Sequence, residues 1–480
     1  MRKKQDQPYF LLILILVIAT TVRIMGFSFP HSLTFDEGVH IHLGSQLTKS
    51  LHSYHTKEID ETFLKGGRKL PDYFKKPLFK HPPLYSYFIS VGYRATHPSS
   101  LIQQCKVAVC VSILSGILLI LLTFFLGRLI YNSKVAFVAS LLMVIDPIHW
   151  LCSQRIWMET TLVLFMWLAL FYILKAIKIT PSDAKIRKSQ MNFYLAGIFT
   201  GLALLTKSTA FFIYPITFSF ILLANRNLFK NIHLWVGLLI SLIFLLPWAL
   251  WNLTVYGKRF LIESLVVHNF IESLDLRDLL LLIGGGFFLL LYLLFLHQRV
   301  TKIFSGIRFT RIIFPLLLIG GLSFIFLRPY LLKGLGNMLN LRYLPPVGGD
   351  PGFFINEPSF FYLRRVLELS PFYLFSFSGF LFLLKPTQED LLLIMAAFLI
   401  LLVSSLWGNY QCRYILSVVP PLLILAAKSI NWIWEKVKNI VNHKLRLTAS
   451  ISFLMMIVFV LIKTLMIDLF FAFFIQPCYF

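Results

Sequence analysis

Val107-Ala-Val-Cys-Val-Ser-Ile-Leu-Ser-Gly-Ile-Leu-Leu-Ile-Leu-Leu-Thr-Phe-Phe-Leu-Gly127 contains no charged residue, and its apolar side chains do not alternate with polar ones. A helix needs about 20 mainly apolar residues to cross a hydrocarbon core, whereas a barrel strand needs about 10 with alternating polarity. The stretch therefore reads as a transmembrane helix. It has company along the whole chain. Apolar windows fall near 8–27, 104–127, 134–151, 157–177, 191–206, 209–224, 232–251, 279–296, 311–327, 371–384, 389–407, 413–430 and 447–474. The expected fold is all-α, a polytopic transmembrane helical bundle of about thirteen spans. Windows 134–151 and 371–384 are short, as is tolerated where a span faces protein or a watery cavity.

Composition agrees. The 480 residues are 58% hydrophobic and 14% charged, too little polar surface to cover a soluble core of this size. The net charge of +24 does not point to nucleic acid, because most cations lie in short loops between apolar runs, where membrane topology uses them. Cys105, Cys110, Cys152, Cys412 and Cys478 form no Cys-x-x-Cys pair, so neither a zinc site nor a redox motif is indicated. The first apolar run follows Arg2, Lys3 and Lys4 but is too long for a signal peptide and lacks a small-residue cleavage pattern, so it reads as a retained span.

Placing the N-terminal cations in the cytoplasm and alternating puts Arg128 and Lys134, the basic residues of 175–188, Arg226 and Lys230, those of 299–311 and those of 428–446 inside. Large non-cytoplasmic loops then fall at 28–103, 252–278 and 328–370. The first is long enough to hold structure of its own, with interfacial helices expected at 36–50 and 82–96. The triplet Asn252-Leu-Thr254 matches a glycosylation sequon on that face, a pattern common by chance. No internal repeat is apparent, which counts against a repeat-built transporter.

This topology gathers polar residues at one mouth of the bundle. Ionisable residues at the membrane mark function. Thr34-Phe-Asp36-Glu37-Gly-Val-His40-Ile-His42 follows the first span. It reads as a helix start, with Thr34 as N-cap and two carboxylates favouring the dipole, or as a general base at the membrane surface. His40 and His42 with one carboxylate pair make no standard metal set. Phe79-Lys80-His81-Pro82-Pro83-Leu84 holds two cations on a stiff turn, as lipid anchors or as phosphate ligands. Asp146-Pro147-Ile-His149-Trp150 leads to Arg155-Ile-Trp-Met-Glu159, whose spacing of four allows an intrahelical ion pair. Thr206-Lys207-Ser208 and Tyr410-Gln-Cys-Arg413-Tyr414 place Lys207 and Arg413 against the positive-inside trend, either snorkelling or holding an anion.

In order, these residues resemble the polytopic glycosyltransferases of the GT-C class, specifically the protein O-mannosyltransferase and aminoarabinose-transferase-like superfamily (family 39). The matching positions are Asp36-Glu37, His81-Pro82-Pro83-Leu84, Arg155-Ile-Trp-Met-Glu159, Gly201-Leu-Ala-Leu-Leu-Thr206-Lys207 and Arg413-Tyr414 followed by Pro420-Pro421. They span roughly residues 8 to 430. Many relatives carry Asp where this chain has Glu159.

The resemblance implies a GT-C-like transmembrane catalytic domain over 1–430, including the outer loop 28–103. It leaves 431–480 as a cytoplasmic linker and final transmembrane helix. Loop 328–370, with Arg342-Tyr343 and Gly348-Gly-Asp350, is an acceptor cover by position only. It further implies transfer of a sugar from a polyprenyl-phosphate donor to the hydroxyl of a lipid, glycan or protein acceptor, with inversion, on the non-cytoplasmic face of a bacterial or archaeal plasma membrane or of the endoplasmic reticulum. Asp36, Glu37 and Glu159 are the implied catalytic residues, with Asp36 as base and Arg155 supporting Glu159. Lys80, His81, Arg155, Lys207, Tyr410 and Arg413 are the implied substrate-binding set. No cofactor is required, and a divalent metal is not indicated. The rival reading is a transporter or flippase of a lipid-linked sugar, which predicts polar residues continuing to the inner face. Others are a non-catalytic scaffold subunit and a ligase moving whole glycans.

Overall fold

The structure is a computed structural model. It describes residues 7–25, 33–59, 77–79, 81–178, 183–224, 226–257, 366, 370–377, 387–406 and 411–473. Along the described chain run α1 (Gln7–Met25), α2 (Phe35–Lys49), α3 (Leu84–Thr96), α4 (Leu101–Ile130), α5 (Ser133–Val144), α6 (Pro147–Ser153), α7 (Glu159–Lys178), α8 (Asp183–Thr206), α9 (Ile213–Ala224) and α10 (Ile232–Tyr256). After the next described stretch come α11 (Tyr373–Phe377), α12 (Gln388–Leu406), α13 (Val419–Lys438) and α14 (His443–Phe473). The all-α polytopic fold expected from the apolar windows is present, with α2 and α3 at the two positions read as interfacial helices.

Among the described residues five helices are long and apolar enough to cross a membrane, or six if the broken pair α5–α6 is one span. Window 134–151 is therefore not one continuous helix. Pro147 carries no N–H, so it opens a new helix after the break at Ile145 and Asp146. Windows 279–296 and 311–327 lie outside the described residues, as does nearly all of loop 328–370. Helices α10 and α14 leave most of their apolar side chains exposed, as lipid-facing helices do, whereas α7 and α13 are mostly buried.

The chain divides into two compact units. One holds residues 1–129, 149–271 and 476–478, and the other holds 130–148, 272–475 and 479–480.

In the first unit, α8 packs on α7 and on α10. The α8–α10 contact depends on glycine. A Cβ on Gly197 would sit 2.0 Å from the Gly237 carbonyl oxygen, and one on Gly237 would sit 2.4 Å from that of Phe193. Gly201 faces Phe244 in the same way, at 2.5 Å. Small residues let the two backbones meet where no side chain fits between them. Arg23, near the end of α1, is fully buried. It donates to Ser153 Oγ (3.0 Å) and to the Ala19 carbonyl (3.2 Å) and lies 2.6 Å from His149 Nδ1, fixing α6 against α1. Gln154 returns a bond to the Arg23 carbonyl (3.0 Å). Asn252 is fully buried within α10, and its Nδ2 donates to the Trp248 carbonyl (2.8 Å), so the sequon is closed to a modifying enzyme in this fold.

In the second unit, Asp390 is buried in the first turn of α12. It accepts Lys428 Nζ on both oxygens (2.6 and 2.7 Å) and the Tyr131 hydroxyl, and it exchanges capping bonds with Thr387. Asp146 accepts the Tyr373 hydroxyl. Pro420 and Pro421 open α13, where a missing N–H costs nothing.

Candidate active site

The site in the first unit begins with a helix cap. Thr34 has extended backbone and accepts the Glu37 N–H (3.4 Å), while Glu37 Oε2 accepts from the Thr34 N–H (2.8 Å) and hydroxyl (3.0 Å). This capping box satisfies donors that a helix start leaves open. It also fixes the direction in which α2 leaves the first span.

Glu37 is then tied to a distant part of the chain. The Arg155 guanidinium donates to Glu37 Oε2, and the Ile156 N–H donates to Oε1 (3.1 Å). Both side chains of the ion pair are at most 5% exposed. The Trp157 indole donates to Thr34 Oγ1 (3.2 Å), and the Arg155 guanidinium lies 5.5 Å from the centre of the Trp157 ring. Residues 155–157 are thus clamped to the start of α2.

Glu159, the first residue of α7, accepts Lys207 Nζ at 2.8 Å. Lys207 follows the last turn of α8, with its N–H donating to the Ala203 carbonyl (3.0 Å). Its extended backbone turns the chain into the 3-10 segment Ser208–Phe212. The glycine-mediated α8–α10 contact sets where that turn lies. The Gly201 of the Gly-Leu-Ala-Leu-Leu-Thr-Lys motif is therefore a packing residue, and Lys207 is the residue it delivers.

The expected pairing of Arg155 with Glu159 does not form. Arg155 precedes α7, so the spacing of four does not put the two on one helix face. Each carboxylate instead takes a cation from another element: Glu37 takes Arg155, and Glu159 takes Lys207.

Between the pairs stands Tyr85 of α3, fully buried. Its hydroxyl meets Ser112 Oγ (2.8 Å), which donates to the Trp157 carbonyl (3.2 Å). Burial pushes the phenol well above its usual range, the bond to Ser112 works against this, and the Glu37 and Glu159 carboxylates add to the rise. His40 packs edge-on to Tyr85 (5.0 Å), with Nδ1 3.3 Å from Ser86 Oγ. Tyr85, Ser112 and Trp157 were not singled out from sequence. An isolated Tyr or Ser in an apolar helix gives no signal until its neighbours are known.

Asp36, next to Glu37, is half-buried in the first turn of α2. The turn before α3 is held by the Tyr54 hydroxyl, which donates to the carbonyls of His81 (3.0 Å) and Pro82 (3.2 Å), and the His81 ring stands edge-on to Phe79 (5.3 Å). Lys80 and Tyr410 lie outside the described residues. Arg413 belongs to the second unit. It is buried in the 3-10 segment Cys412–Val418, with its guanidinium 5.5 Å from the Tyr414 ring centre. On the far turns of α2, His42 is pushed down to about 4 by burial, with the charges of His55 and Lys49 adding and Glu58 opposing. Among the described residues no three His, Cys, Asp or Glu side chains converge as a metal ligand set.

The arrangement is a half-buried carboxylate at a helix N-terminus, beside two buried ion pairs, in a helical membrane protein. Residues 80–251 match the family model described as dolichyl-phosphate-mannose-protein mannosyltransferase. No curated protein sequence matches the chain. Among solved structures, the chain is similar to the oligosaccharyltransferase AglB of Archaeoglobus fulgidus in complex with an inhibitory peptide and a dolichol-phosphate. The identity is 16% and the TM-score 0.58, covering 100% of this chain and 56% of that one. The same enzyme tethered to an acceptor peptide gives a TM-score of 0.60 at 16% identity, covering 99% and 56%. ArnT from Cupriavidus metallidurans bound to undecaprenyl phosphate gives 0.55 at 15% identity, covering 97% of this chain and 74% of that one. The chain spans little more than half the length of the archaeal enzyme. Residues 80–251 thus match a mannosyltransferase family model, and over nearly its whole length the chain has a fold similar to that of polytopic membrane glycosyltransferases of the GT-C class.

Proposed function

We propose that the protein transfers a single sugar from a polyprenyl-phosphate donor to an acceptor hydroxyl at the non-cytoplasmic face of its membrane, with inversion at the anomeric carbon. One observation carries the reading. Of the two adjacent carboxylates, Glu37 has both oxygens engaged in fixing residues 155–157, while Asp36 is half-buried in the first turn of α2 beside that clamp, at the position that matches the family's Asp-Glu motif. Glu37 and Arg155 then position, and Asp36 reacts. Neighbours that hold dolichol-phosphate, undecaprenyl phosphate and acceptor peptide support a lipid-phosphate donor and a separate acceptor.

In the proposed step the Asp36 carboxylate takes the proton of the acceptor hydroxyl. The oxygen forms a bond to the anomeric carbon, and the bond from that carbon to the phosphate oxygen breaks, its electron pair leaving with polyprenyl phosphate. Base and leaving-group stabilisation are the two needs of such a displacement. Lys207 meets the second. An ammonium has three donors, so Nζ can keep its bond to Glu159 and still offer an N–H to a phosphate oxygen. His81 and Arg413, by their match to the family motifs, are further candidates for the donor phosphate, as are Lys80 and Tyr410, which stand next to those motifs in sequence. Side-chain cations suffice for a phosphate leaving group, so the scheme requires no metal.

The test is Asp36→Asn assayed with purified protein, polyprenyl-phosphate sugars and membrane extract, with mass spectrometry identifying what gains the sugar. Loss of a positioned base lowers transfer by about 10²–10⁴-fold, with donor binding retained. Transfer at the wild-type rate would sink the assignment of Asp36 as base.

A further inference from the structure

Helix α13 ends at Lys438 and α14 begins at His443, with a short turn between them. A cavity of about 310 Å³ opens at this turn, lined by Lys438, His443, Arg446, Leu447 and Ser450. Three of these five residues are basic, and none of the five is acidic. The Arg446 guanidinium is half-buried and, like the His443 ring, has no side-chain partner among the described residues. Lys438 lies 3.9 Å from the exposed carboxylate of Glu435, a contact too loose and too wet to neutralise it. The first turn of α14 adds the positive end of the helix dipole, with Asn442 capping only the Leu445 N–H.

Below the cavity the character of α14 changes. Leu447, Ile451, Leu454 and Val458 are each about half exposed. Steps of four, three and four residues place them on one face of the helix. An apolar stripe thus runs from the basic cavity along a helix long and apolar enough to cross the bilayer.

A soluble anion would use the cavity and leave the stripe unused. A lipid with a charged headgroup uses both. We propose that the turn between α13 and α14 binds the phosphate headgroup of an anionic membrane lipid, whose acyl chain lies along Leu447, Ile451, Leu454 and Val458. The site is independent of the glycosyl-transfer reading, because all its residues lie in the second unit and none belongs to the candidate active site.

Native mass spectrometry of the detergent-purified full chain tests this. The chain is titrated with dioleoyl phosphatidylglycerol, with dioleoyl phosphatidylcholine, and with phosphatidylglycerol in competition with inorganic phosphate. Phosphatidylglycerol is expected to bind in preference to phosphatidylcholine and to resist displacement by millimolar phosphate. Each cation near a lipid surface contributes roughly five-fold, so Lys438→Gln with Arg446→Gln weakens binding about 25-fold. Lys444→Gln, which removes an equal charge outside the cavity, has less than half the effect of either single change. If the double variant does not fold, the two single variants carry the test at about five-fold each. Equal binding of the two lipids, displacement by phosphate, or an equal loss with Lys444→Gln would each overturn the proposal.

Discussion

At the scale of single residues, the site is built from two buried ion pairs, and their partners differ from those that spacing suggests. The rule that residues four apart face each other holds only inside a helix. Helix α7 starts at Glu159, so Arg155 lies outside it and turns toward Glu37. The Glu159–Lys207 pair is almost dry, with side chains 4% and 10% exposed. Taking away one partner leaves the other as an uncompensated buried charge, which costs about 3–5 kcal/mol, whereas replacing both with apolar side chains of similar volume is often neutral. Glu159→Leu and Lys207→Met alone should therefore each lower the unfolding midpoint in detergent clearly, and the double variant should recover most of the loss. Additive losses in this cycle would show that the pair is not coupled. The same physics gives Asp36 and Glu37 different work. Glu37 is held by four donors and is a positioning residue, while its neighbour is presented at the helix N-terminus.

At the scale of elements, the helices follow from the apolar windows with few changes. The window at 104–127 became α4, and the outer-loop helices expected at 36–50 and 82–96 became α2 and α3. Thr34 was readable as an N-cap because Thr followed three residues later by Glu is a capping box. The window at 134–151 looked continuous by hydropathy, but Asp146-Pro147 interrupts it, since proline cannot continue the preceding helix. The contact between α8 and α10 was not readable as such. Gly197, Gly201 and Gly237 reveal their purpose only when two backbones are seen to touch. Gly237→Ala places a methyl group 2.4 Å from a backbone oxygen that cannot move aside cheaply. It should cost about 1–3 kcal/mol, and by pushing α8 away it should reduce transfer through Lys207. Gly92→Ala meets only the end of the Val107 side chain, at 2.8 Å, and should be tolerated better. Unfolding midpoints of the two variants measured side by side check this; equal losses would mean that backbone contact is not what fixes the interface.

At the scale of the whole molecule, the protein is an integral membrane protein whose proposed chemistry has a side. Counting basic residues puts the loop containing Lys57 outside and the start of α14, with Lys444, inside. In a cysteine-free background, Lys57→Cys should label with a membrane-impermeant maleimide on intact cells, and Lys444→Cys only after permeabilisation. The reverse pattern would invert the proposed topology and place Asp36 on the cytoplasmic face.

The sequence by itself determined the class of fold, most helix limits and the residues of interest, because hydropathy, caps and prolines act over a few residues and leave local marks. Only the tertiary structure decided which of those residues meet. Arg155 reaches Glu37 across 118 residues and Lys207 reaches Glu159 across 48. Those meetings depend on how closely helices pack, down to the absence of a single Cβ at Gly197 or Gly237. The run at 107–127 could announce a membrane helix on its own. No run could announce that Ser112, midway along that helix, would join Tyr85 to the Trp157 carbonyl beside both buried pairs, because that contact is set by three elements meeting in space.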